Sequence, residues 1–339
     1  MFSPTTGIGK YVGYLINFYT KKSDYNDVFV LSNDRSLCIA GVTIVYTPIK
    51  PYNFLHFLIL PFVLLKLKNK HNVCCFHAAT YSGLYIKLFQ NQITTVHDLM
   101  YRTIESYFSK SVFINKFAVF YYDLMVSLTL LSSTKIISIS DSTSLDLLKL
   151  NRRFKSLIIP HFIEKHRNYL ENTKYNSFGN YVLYVGNTRY QKNIKTLVLA
   201  FENMKNDFFQ SLVIVTKDKI GFKNEKIFVL NDIDTDEQLN SLYGQASIFV
   251  LPSLYEGFGF PILEALSEGC QVASSNAGSL SEFSKKYVMF FDPNSANELM
   301  FILENYPKNK KDMKGLADYL DKYSAESFNM LMHKVTEGK

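Results

Sequence analysis

Two glutamates stand eight positions apart in a glycine-rich stretch, Leu251-Pro-Ser-Leu-Tyr-Glu-Gly-Phe-Gly-Phe-Pro-Ile-Leu-Glu264. Glu256 lies in the turn between a predicted strand and a predicted helix, and Glu264 lies near the start of that helix. Gly257 and Gly259 let the backbone bend and expose N–H groups beside the helix N-terminus. Two carboxylates in this setting could accept hydrogen bonds from sugar hydroxyls. The same pattern fits equally well a structural turn with a capping carboxylate.

A lysine stands in a second strand-to-helix turn, within Tyr181-Val-Leu-Tyr-Val-Gly-Asn-Thr-Arg-Tyr-Gln-Lys-Asn193. The predicted strand ends at Gly186, and Lys192 opens the next helix. A cation beside a helix N-terminus is well placed to neutralise a diphosphate and to stabilise it as a leaving group. The alternative is an ordinary surface lysine.

A histidine follows a predicted strand in the first half of the chain, in Thr94-Thr-Val-His-Asp98. His97 is therefore expected at the carboxyl end of a strand, where parallel sheets bind ligands. An isolated histidine at such a point is more often a hydrogen-bonded loop residue. Asp141, in Ile137-Ser-Ile-Ser-Asp141, precedes a predicted helix, and we assign it a structural role as part of the helix cap.

Two glycines stand near the beginning of the sequence, in Thr5-Thr-Gly-Ile-Gly-Lys-Tyr11. Apolar residues at helical spacing follow them, so Gly7 and Gly9 are predicted to form a loop that leads into a helix. Such a loop is a phosphate-binding arrangement, although two glycines are a weak motif.

The elements that would position these residues alternate along the chain as short β-branched runs and longer helical patterns. This alternation predicts parallel sheets flanked by helices, an α/β fold. The predicted strands are Val28–Leu31, Val42–Tyr46, Val73–Phe76, Ile93–Val96, Lys135–Ile139, Leu157–Ile159, Tyr181–Val185, Leu212–Thr216, Ile227–Leu230, Ile248–Leu251, Val272–Ser275 and Val288–Phe291.

Helix boundaries in the second half carry recognisable end signals. Thr235 with Gln238 three residues later predicts a capping box. Pro261 and Gly269 bracket a short helix, with proline at its start and glycine at its end. The polar segment from Glu164 to Asn180 has no clear period and is predicted to be a linker.

The composition indicates a globular protein with an uneven distribution of charge. The 339 residues suffice for two domains, and 47% of them are hydrophobic. Residues 1–165 carry 18 Lys and Arg against 9 Asp and Glu, a net charge of +9, whereas residues 166–339 carry 19 against 21, a net charge of −2. The basic half could attract anionic lipids, a polyanionic acceptor or nucleic acid, or could simply present solvated lysines.

Export and disulfide signals are not recognised in the sequence. The four cysteines lack the spacing of a zinc site or a disulfide framework, which favours a reducing compartment. The N-terminus does not read as a signal peptide. The apolar run from Phe54 to Leu65 is too short to span a bilayer, but Lys66, Lys68 and Lys70 follow it, so it could lie against a membrane surface. A core helix with a charged end is the alternative.

The glutamate stretch resembles the signature of the retaining family 4 glycosyltransferases of the GT-B fold, a glutamate followed by seven residues and a second glutamate. The loop Ser274-Ser-Asn-Ala-Gly-Ser-Leu-Ser-Glu282 is similar to the next loop of that family. The resemblance implies that Glu256 contacts the donor hexose and that Glu264 contacts the nucleotide ribose. It also implies donor contacts from the loop residues Gly257, Phe258, Gly259 and Phe260.

The resemblance extends to the other three motifs. The family often has an arginine after the glycine at Gly186, where this chain has Asn187, so Lys192 becomes the main expected phosphate contact, with Arg189 as a substitute. His97, paired with Asp98, is expected close to the donor sugar. The residues expected to bind the donor are completed by Gly7, Gly9, Gly186, Asn187 and Arg189.

The implied architecture is GT-B, two doubly wound Rossmann-like domains that face each other across a cleft. We predict an N-terminal acceptor-side domain over residues 1–163, a linker over 164–180, a nucleotide-sugar-binding domain over 181–322, and a C-terminal helix over 323–339 that packs back on the N-terminal domain. The family's first strand has no counterpart ahead of Gly7, so a gap is expected in the N-terminal sheet.

The implied activity is retaining transfer of a hexose from a GDP- or UDP-sugar to a glycan or lipid-linked oligosaccharide, with no metal and no cofactor. The resemblance is strongest to mannosyltransferase-like enzymes of bacterial surface polysaccharides, O-antigen or capsule. We expect a cytoplasmic location, peripheral contact with anionic lipid at the inner face of the plasma membrane, and no nucleic-acid partner. A GT-B nucleotide-sugar epimerase and a non-catalytic glycosyltransferase-like partner subunit are the alternatives.

Overall fold

The computed structural model describes residues 7–22, 27–48, 53–163, 173–306 and 310–337. The chain divides into two units. The first contains Met1–His161 and Phe328–Lys339, and the second contains Phe162–Ser327. Both units are built from parallel strands joined through helices, so the predicted α/β class is confirmed.

The first unit contains six strands. Its elements are α1 (Gly7–Lys21), β1 (Phe29–Ser32), β2 (Thr43–Tyr46), α2 (Phe54–His71), β3 (Cys75–Ala78), β4 (Asn91–Val96), α3 (Met100–Thr103), α4 (Val112–Ser132), β5 (Lys135–Ser138), α5 (Asp141–Leu150) and β6 (Leu157–Ile158). The helix α11 (Ala325–Glu337) contributes its residues from Phe328 onward to this unit. Lys22 of the segment after α1 donates a hydrogen bond to Thr336 Oγ1 at 2.8 Å, which ties α11 to α1.

The strands of the first unit form two separate sheets. One has the order β3-β4-β5-β6 and the other contains β1 and β2, all in parallel pairs. Within the described residues no ladder joins β1 to β3. The central strand β4 is buried on both faces, as parallel strands covered by helices are.

The second unit contains one six-stranded sheet. Its elements are β7 (Tyr181–Val185), α6 (Ile194–Asn203), β8 (Ser211–Val215), β9 (Ile227–Leu230), α7 (Asp236–Gln245), β10 (Ile248–Leu251), α8 (Phe260–Ser267), β11 (Val272–Ser275), β12 (Val288–Phe291), α9 (Ala296–Glu304) and α10 (Leu316–Asp321). The strand order is β12-β11-β10-β7-β8-β9, and every pair is parallel.

The core of the second unit lies on the central strands. Val182, Tyr184, Leu212, Ile248 and Val250 are each 0% exposed. Burying a side chain of this size contributes about 1.5–3 kcal/mol relative to leaving it in water. The apolar runs that predicted these strands are therefore the residues that hold the sheet against its helices.

The predicted element ends agree with the structure in several places. Each predicted strand is present within two residues of its predicted bounds. Thr235 and Gln238 form the predicted capping box at the start of α7. Pro261 occupies the first turn of α8, and Gly269, with φ of +75°, follows the end of that helix.

Two expectations about local structure need correction or fall partly outside the described residues. Gly7 and Gly9 lie in the first turn of α1 and not in a loop, because the helix begins at Gly7. Residues 164–172 of the predicted linker are outside the described residues, and Thr173–Phe178 form a 3-10 turn.

The longest apolar helix is α4, which the sequence analysis did not single out. Within the described residues, α4 alone is long and apolar enough to cross a membrane by length and composition, and 17% of its apolar window is buried. Short apolar stretches interrupted by Asn115, Lys116 and Asp123 concealed this helix from a search for one continuous run.

Candidate active site

The lysine of the second motif lies between β7 and α6. After β7 the backbone turns at Gly186, and Tyr190–Lys192 form a 3-10 turn that leads into α6. The side chain of Asn193 donates hydrogen bonds to Pro252 O at 3.0 Å and to Pro293 O at 2.8 Å. These bonds tie the start of α6 to the loops that follow β10 and β12, so the position of Lys192 is fixed.

Lys192 and Glu256 form an ion pair. The distance from Lys192 Nζ to Glu256 Oε1 is 2.6 Å, and the two side chains are 17% and 12% exposed. Ser253, which is fully buried, donates a hydrogen bond from Oγ to the same carboxylate oxygen at 2.6 Å. Two residues that the sequence placed 64 positions apart are thus brought together at the carboxyl ends of neighbouring strands β7 and β10.

Two glycines, one in the loop that carries Glu256 and one in the segment after β11, allow close packing around this loop. Gly259 caps α8 with φ of +107°, and a Cβ there would lie 2.7 Å from Leu280 Cδ2. At Gly278, with φ of +55°, a Cβ would lie 3.2 Å from Glu256 O. Ser279 Oγ donates a hydrogen bond to that same carbonyl at 2.8 Å. The glycines therefore allow the close packing that positions the Glu256 backbone.

Glu264 lies within α8 and contacts a buried tyrosine. The hydroxyl of Tyr243 donates a hydrogen bond to Glu264 Oε2 at 3.2 Å. Burial, together with the Glu264 charge, raises the pKa of Tyr243 well above 10, so this hydroxyl stays protonated and remains a donor. Glu264 is half-buried and its carboxylate is oriented by the packed core beneath it.

The turn after β7 contains a second anchored carboxylate. The backbone N–H and the hydroxyl of Thr188 donate to Asp218 Oδ2 at 2.6 and 2.8 Å. These hydrogen bonds, first the backbone one, lower the pKa of Asp218. Asn187 and Arg189 are exposed, and the Arg189 N–H donates to Asn187 Oδ1 at 3.2 Å.

The aromatic residues of the glutamate loop differ in their surroundings. Phe258 is 8% exposed and its ring lies 5.9 Å from that of Tyr323 and 6.0 Å from that of Phe283. Phe260 is half-buried at the start of α8. Gly257 is buried. The side chain of Phe258 therefore packs the loop from within, which leaves the backbone as the part of this residue that suits a ligand.

His97 lies in the first unit, directly after β4, and is buried. Its Nε2 is 2.9 Å from Ala79 O, and its ring stacks on that of His161 at 5.4 Å. Burial lowers the pKa of His97 to about 4, so the imidazole is neutral at pH 7. Asp98 Oδ1 accepts a hydrogen bond at 2.9 Å from the N–H of Met100, the first residue of α3.

The cap of α5 is formed by the residue before Asp141. Ser140 Oγ accepts a hydrogen bond from the Thr143 N–H at 3.1 Å, and Asp141 is the first residue of the helix. This arrangement agrees with a structural role for Asp141, since a carboxylate is favourable in a first helical turn.

Several residues of the site were not predicted. Ser253 stands three positions before Glu256, a spacing that could have marked it as a partner. Tyr243 and Asp218 belong to other elements, and only the tertiary fold brings them to Glu264 and Thr188. In the described part of the chain no group of three metal-ligating side chains comes together. A metal-free site remains a prediction.

The parallel α/β sheets of the chain, with Lys192 and Glu256 ion-paired at the carboxyl ends of β7 and β10, are those of a protein with the GT-B fold. Residues 166–323 match the family model of the glycosyl transferases group 1. This stretch covers nearly the whole second unit.

The curated relatives that match include mannosyltransferases from bacteria. The chain is 27% identical over 232 residues to the O-antigen chain mannosyltransferase B of Escherichia coli, a match that covers 62% of this chain and 59% of that protein. It is 23% identical over 297 residues to the O-antigen chain mannosyltransferase RfbU of Salmonella typhimurium, covering 80% of this chain and 74% of the relative.

Solved structures share the fold over the full length of the chain. WaaG, a glycosyltransferase involved in lipopolysaccharide biosynthesis, superposes with a TM-score of 0.77 at 15% identity and covers 100% of this chain and 98% of that one. The sucrose-phosphate synthase of Thermosynechococcus elongatus superposes with a TM-score of 0.76 at 16% identity, covering 98% and 93%. The predicted GT-B fold is confirmed.

Proposed function

We propose that the protein is a retaining hexosyltransferase that moves a hexose, with mannose as the first candidate, from a nucleotide-diphosphate sugar to a surface-polysaccharide acceptor. The observation that carries the proposal is the Lys192–Glu256 pair, 2.6 Å apart at the carboxyl ends of β7 and β10. The relatives named above support mannose and the O-antigen type of product.

The site residues suit the chemistry of a departing diphosphate. Lys192 supplies a positive charge beside the start of α6, where charge that develops on the leaving group is stabilised. Glu256 accepts hydroxyl donors from the hexose, and Glu264 accepts those of the nucleotide ribose. The acceptor hydroxyl attacks on the face from which the diphosphate leaves, which retains the configuration of the transferred carbon.

The donor we propose is a GDP- or UDP-sugar, bound without a metal ion. HepE of Anabaena, which shares the fold with a TM-score of 0.73, was solved with UDP and glucose. The mannosyltransferase relatives leave GDP-mannose equally open. Lys192 provides the cationic contact that a divalent ion would otherwise give, so turnover is expected to persist in EDTA.

Calorimetric titration with a panel of GDP, UDP and their sugars tests the donor site. We expect one nucleotide diphosphate to bind, and the Glu264→Ala variant to weaken it about tenfold through loss of a charge-assisted hydrogen bond. Glu202→Ala is the matched control, because Glu202 lies exposed on α6. Equal affinities in the two variants would contradict the assignment of Glu264. Conversion of a nucleotide sugar without acceptor would indicate an epimerase.

We further propose that the first unit contacts an anionic membrane through α2 and α4. On α4, Phe113 and Phe117 are 87% and 72% exposed, and on α2 Phe62 is 73% exposed. Phe76 of β3 packs against α2 and Val96 of β4 packs against α4, and the register of β3 with β4 puts these two side chains on one face of the sheet, so both helices cover that face. Lys66 and Lys70 at the end of α2 are exposed and suit anionic headgroups, whereas Lys68 donates a hydrogen bond to Leu88 O at 2.6 Å.

This contact would bring the enzyme to a lipid-linked acceptor at the cytoplasmic face of the plasma membrane. In this proposal the positive charge of the first half of the chain binds anionic lipid and not nucleic acid. The protein is expected to float with phosphatidylglycerol vesicles. It is not expected to float with phosphatidylcholine vesicles or to be retained on DNA-cellulose. Phe113→Glu combined with Phe117→Glu should abolish flotation. Phe301→Glu, at a 62% exposed position of α9, is the control and should float unchanged.

A further inference from the structure

A pocket of about 270 Å³ lies between the C-terminal ends of α1 and α11. The ring of Tyr11 lies 6.1 Å from that of Phe328, and the ring of Phe18 lies 5.0 Å from that of His333. The early residues of α1 therefore contact the early residues of α11, so the two helices run in the same direction and end side by side. We call this space the helix-end pocket. The residues that line it all belong to the first unit.

Polar side chains at helical spacing line the helix-end pocket. On α11, Asn329, His333 and Glu337 follow one another at intervals of four residues, and on α1 Asn17 and Lys21 are four residues apart. Residues at this spacing share one face of a helix. Within the described residues the side-chain amides of Asn17 and Asn329 make no hydrogen bond. Each amide therefore has a carbonyl acceptor and an NH₂ donor available for a ligand.

A buried lysine and a histidine hold the carboxylate of Glu337 in the pocket. Lys22, whose side chain is 5% exposed, has its Nζ 3.4 Å from Glu337 Oε1, and His333 Nδ1 lies 2.9 Å from the same oxygen. A carboxylate oxygen only accepts hydrogen bonds, so His333 carries a proton on Nδ1, and Nε2 of the neutral ring is an acceptor. A carboxylate has about four acceptor positions, so Glu337 can also accept hydrogen bonds from a ligand.

The floor of the pocket is aromatic. Phe18 is 5% exposed, and its ring contacts that of His333 edge to face, with the Lys22 ammonium group 5.9 Å from the ring centre. The face of an aromatic ring carries negative charge density, which attracts the polarised C–H groups of a sugar ring. An apolar floor with a few convergent polar groups is typical of a site for a small molecule.

The charges around the pocket favour a neutral ligand over an ion. Lys21 and Lys22 oppose a cation. Glu337 opposes an anion, and so do the C-terminal ends of α1 and α11, whose carbonyl groups carry partial negative charge. A hydroxyl group both donates and accepts hydrogen bonds, so a polyol can pair with the lysine, amide and carboxylate groups together.

The size of the pocket limits the ligand further. Its volume of about 270 Å³ lies below the range of roughly 300–1,000 Å³ that is usual for sites of drug-sized ligands. A single sugar residue suits this space, and an intact nucleotide sugar does not.

We propose that the helix-end pocket binds one neutral hexose residue of a glycan, at a place distinct from the donor site. The Lys192–Glu256 pair belongs to the second unit. Within the first unit, His97 lies beside Tyr11, and Lys21 stands ten residues further along α1, about 15 Å away at 1.5 Å per residue. That the glycan is the acceptor or product of this enzyme rests on the proposed function, whereas the affinity of the pocket for a hexose does not.

Saturation-transfer NMR with the methyl α-glycosides of mannose, glucose and galactose tests the pocket. We expect one of the three to bind with a Kd on the order of 1 mM. Asn17→Ala combined with Asn329→Ala removes two side-chain amides at exposed positions and should weaken that binding about tenfold. Asn69→Ala, which removes an exposed amide of α2 outside the pocket, is the control and should bind as the wild type does.

Three outcomes would overturn the proposal. The first is that none of the glycosides binds. The second is binding that persists in the Asn17 and Asn329 double variant and disappears in Lys192→Met, because the sugar would then occupy the donor site. The third is displacement of the glycoside by an equal concentration of inorganic phosphate, which would reveal an anion site.

The same measurements separate this proposal from the proposed function. A protein that binds no nucleotide diphosphate or nucleotide sugar, but binds a glycoside through Asn17 and Asn329, would contradict the glycosyltransferase assignment and support the helix-end pocket. A protein that binds a nucleotide diphosphate through Glu264 but binds no glycoside would do the opposite.

Discussion

The geometry of the Lys192–Glu256 pair predicts that one substitution affects nucleotide diphosphate binding and turnover differently. Glu256→Gln removes the negative charge and leaves Lys192 available to phosphate, so nucleotide diphosphate affinity is expected to be maintained or to increase. The hexose loses its charged acceptor, and kcat should fall about 100-fold. Calorimetry and a transferase assay on the same preparation measure the two effects.

Lys192→Met removes the other partner of the ion pair, and it is expected to lower both the nucleotide diphosphate affinity and kcat. Its apolar side chain leaves Glu256 without its cation, and the diphosphate loses its contact. A Glu256→Gln protein whose diphosphate affinity dropped as far as that of Lys192→Met would rule out the proposed division of roles.

The buried histidines of the first unit predict a loss of stability in acid. Burial lowers the pKa of His77 to about 3 and that of His97 to about 4, from the usual 6.5. Between pH 6.5 and pH 4 the unfolded chain binds protons that the folded chain does not. The free energy of unfolding should therefore fall by roughly 1 kcal/mol per pH unit for each histidine as the pH decreases.

Urea unfolding at pH 7.5, 6.5, 5.5 and 5.0 measures this dependence. His77→Gln keeps a polar side chain beside Tyr19 and Thr95 but cannot titrate, so its stability should decline less steeply below pH 6.5. His333→Gln is the control, because His333 is exposed on α11. Identical pH dependence of the wild-type and His77→Gln proteins would refute the prediction.

At the scale of the elements, the join between β10 and α8 depends on Gly259. Gly259→Ala combines a positive φ with a Cβ 2.7 Å from Leu280 Cδ2, so it should lower the free energy of unfolding by about 2 kcal/mol. Donor binding should weaken as well, because the loop with Glu256 must shift. Denaturant unfolding and calorimetry give the two readouts.

Gly221→Ala provides the comparison for this substitution. A Cβ at Gly221 would meet no atom within 4 Å, and the backbone there is not in the positive-φ region. The variant is expected to be neutral within about 0.5 kcal/mol. A loss of stability at Gly221 equal to that at Gly259 would contradict the assignment of the effect to the positive φ and the close approach to Leu280, because Gly→Ala at an unstrained position slightly stabilises a protein through its unfolded chain.

The elements also show what the sequence could and could not reveal. Strands buried on both faces give nearly continuous apolar runs, so β7 and β10 were predicted with their observed bounds. The start of α1 was misplaced because glycines at Gly7 and Gly9 are typical of loops. Apolar residues on α4 are exposed and interrupted by polar ones, so no core pattern marked that helix.

At the scale of the whole molecule, the motifs placed Glu256 and Lys192 in the turns after their strands and Glu264 in the helix that follows, because the alternation of strands and helices sets these positions. The pairing of Lys192 with Glu256 required the order of β7 beside β10, which no local pattern contains. For the same reason Tyr243 and Asp218 emerged only from the structure. Local sequence patterns therefore predict the elements and the candidate residues, and the tertiary fold brings their partners into contact with them.

The uneven charge predicts how membrane binding responds to salt. Residues 1–165 carry a net charge of +9, and screening shortens the reach of this charge as the ionic strength rises. Recovery on phosphatidylglycerol vesicles should decrease several-fold between 0.05 and 0.5 M NaCl, roughly as expected for surface lysines. Recovery that does not change with salt would leave the apolar faces of α2 and α4 as the sole contact.

The closed ion pair has a consequence for what the site admits. Lys192 and Glu256 satisfy each other before any ligand arrives, so a ligand must replace two interactions at once. Inorganic phosphate provides an anion for Lys192 but no hydroxyl donors for the Glu256 carboxylate. A free sugar provides the hydroxyl donors but no anion. Only a molecule that carries both groups at the right separation replaces the lost interaction of each partner. The pair therefore selects an intact nucleotide sugar over either of its parts.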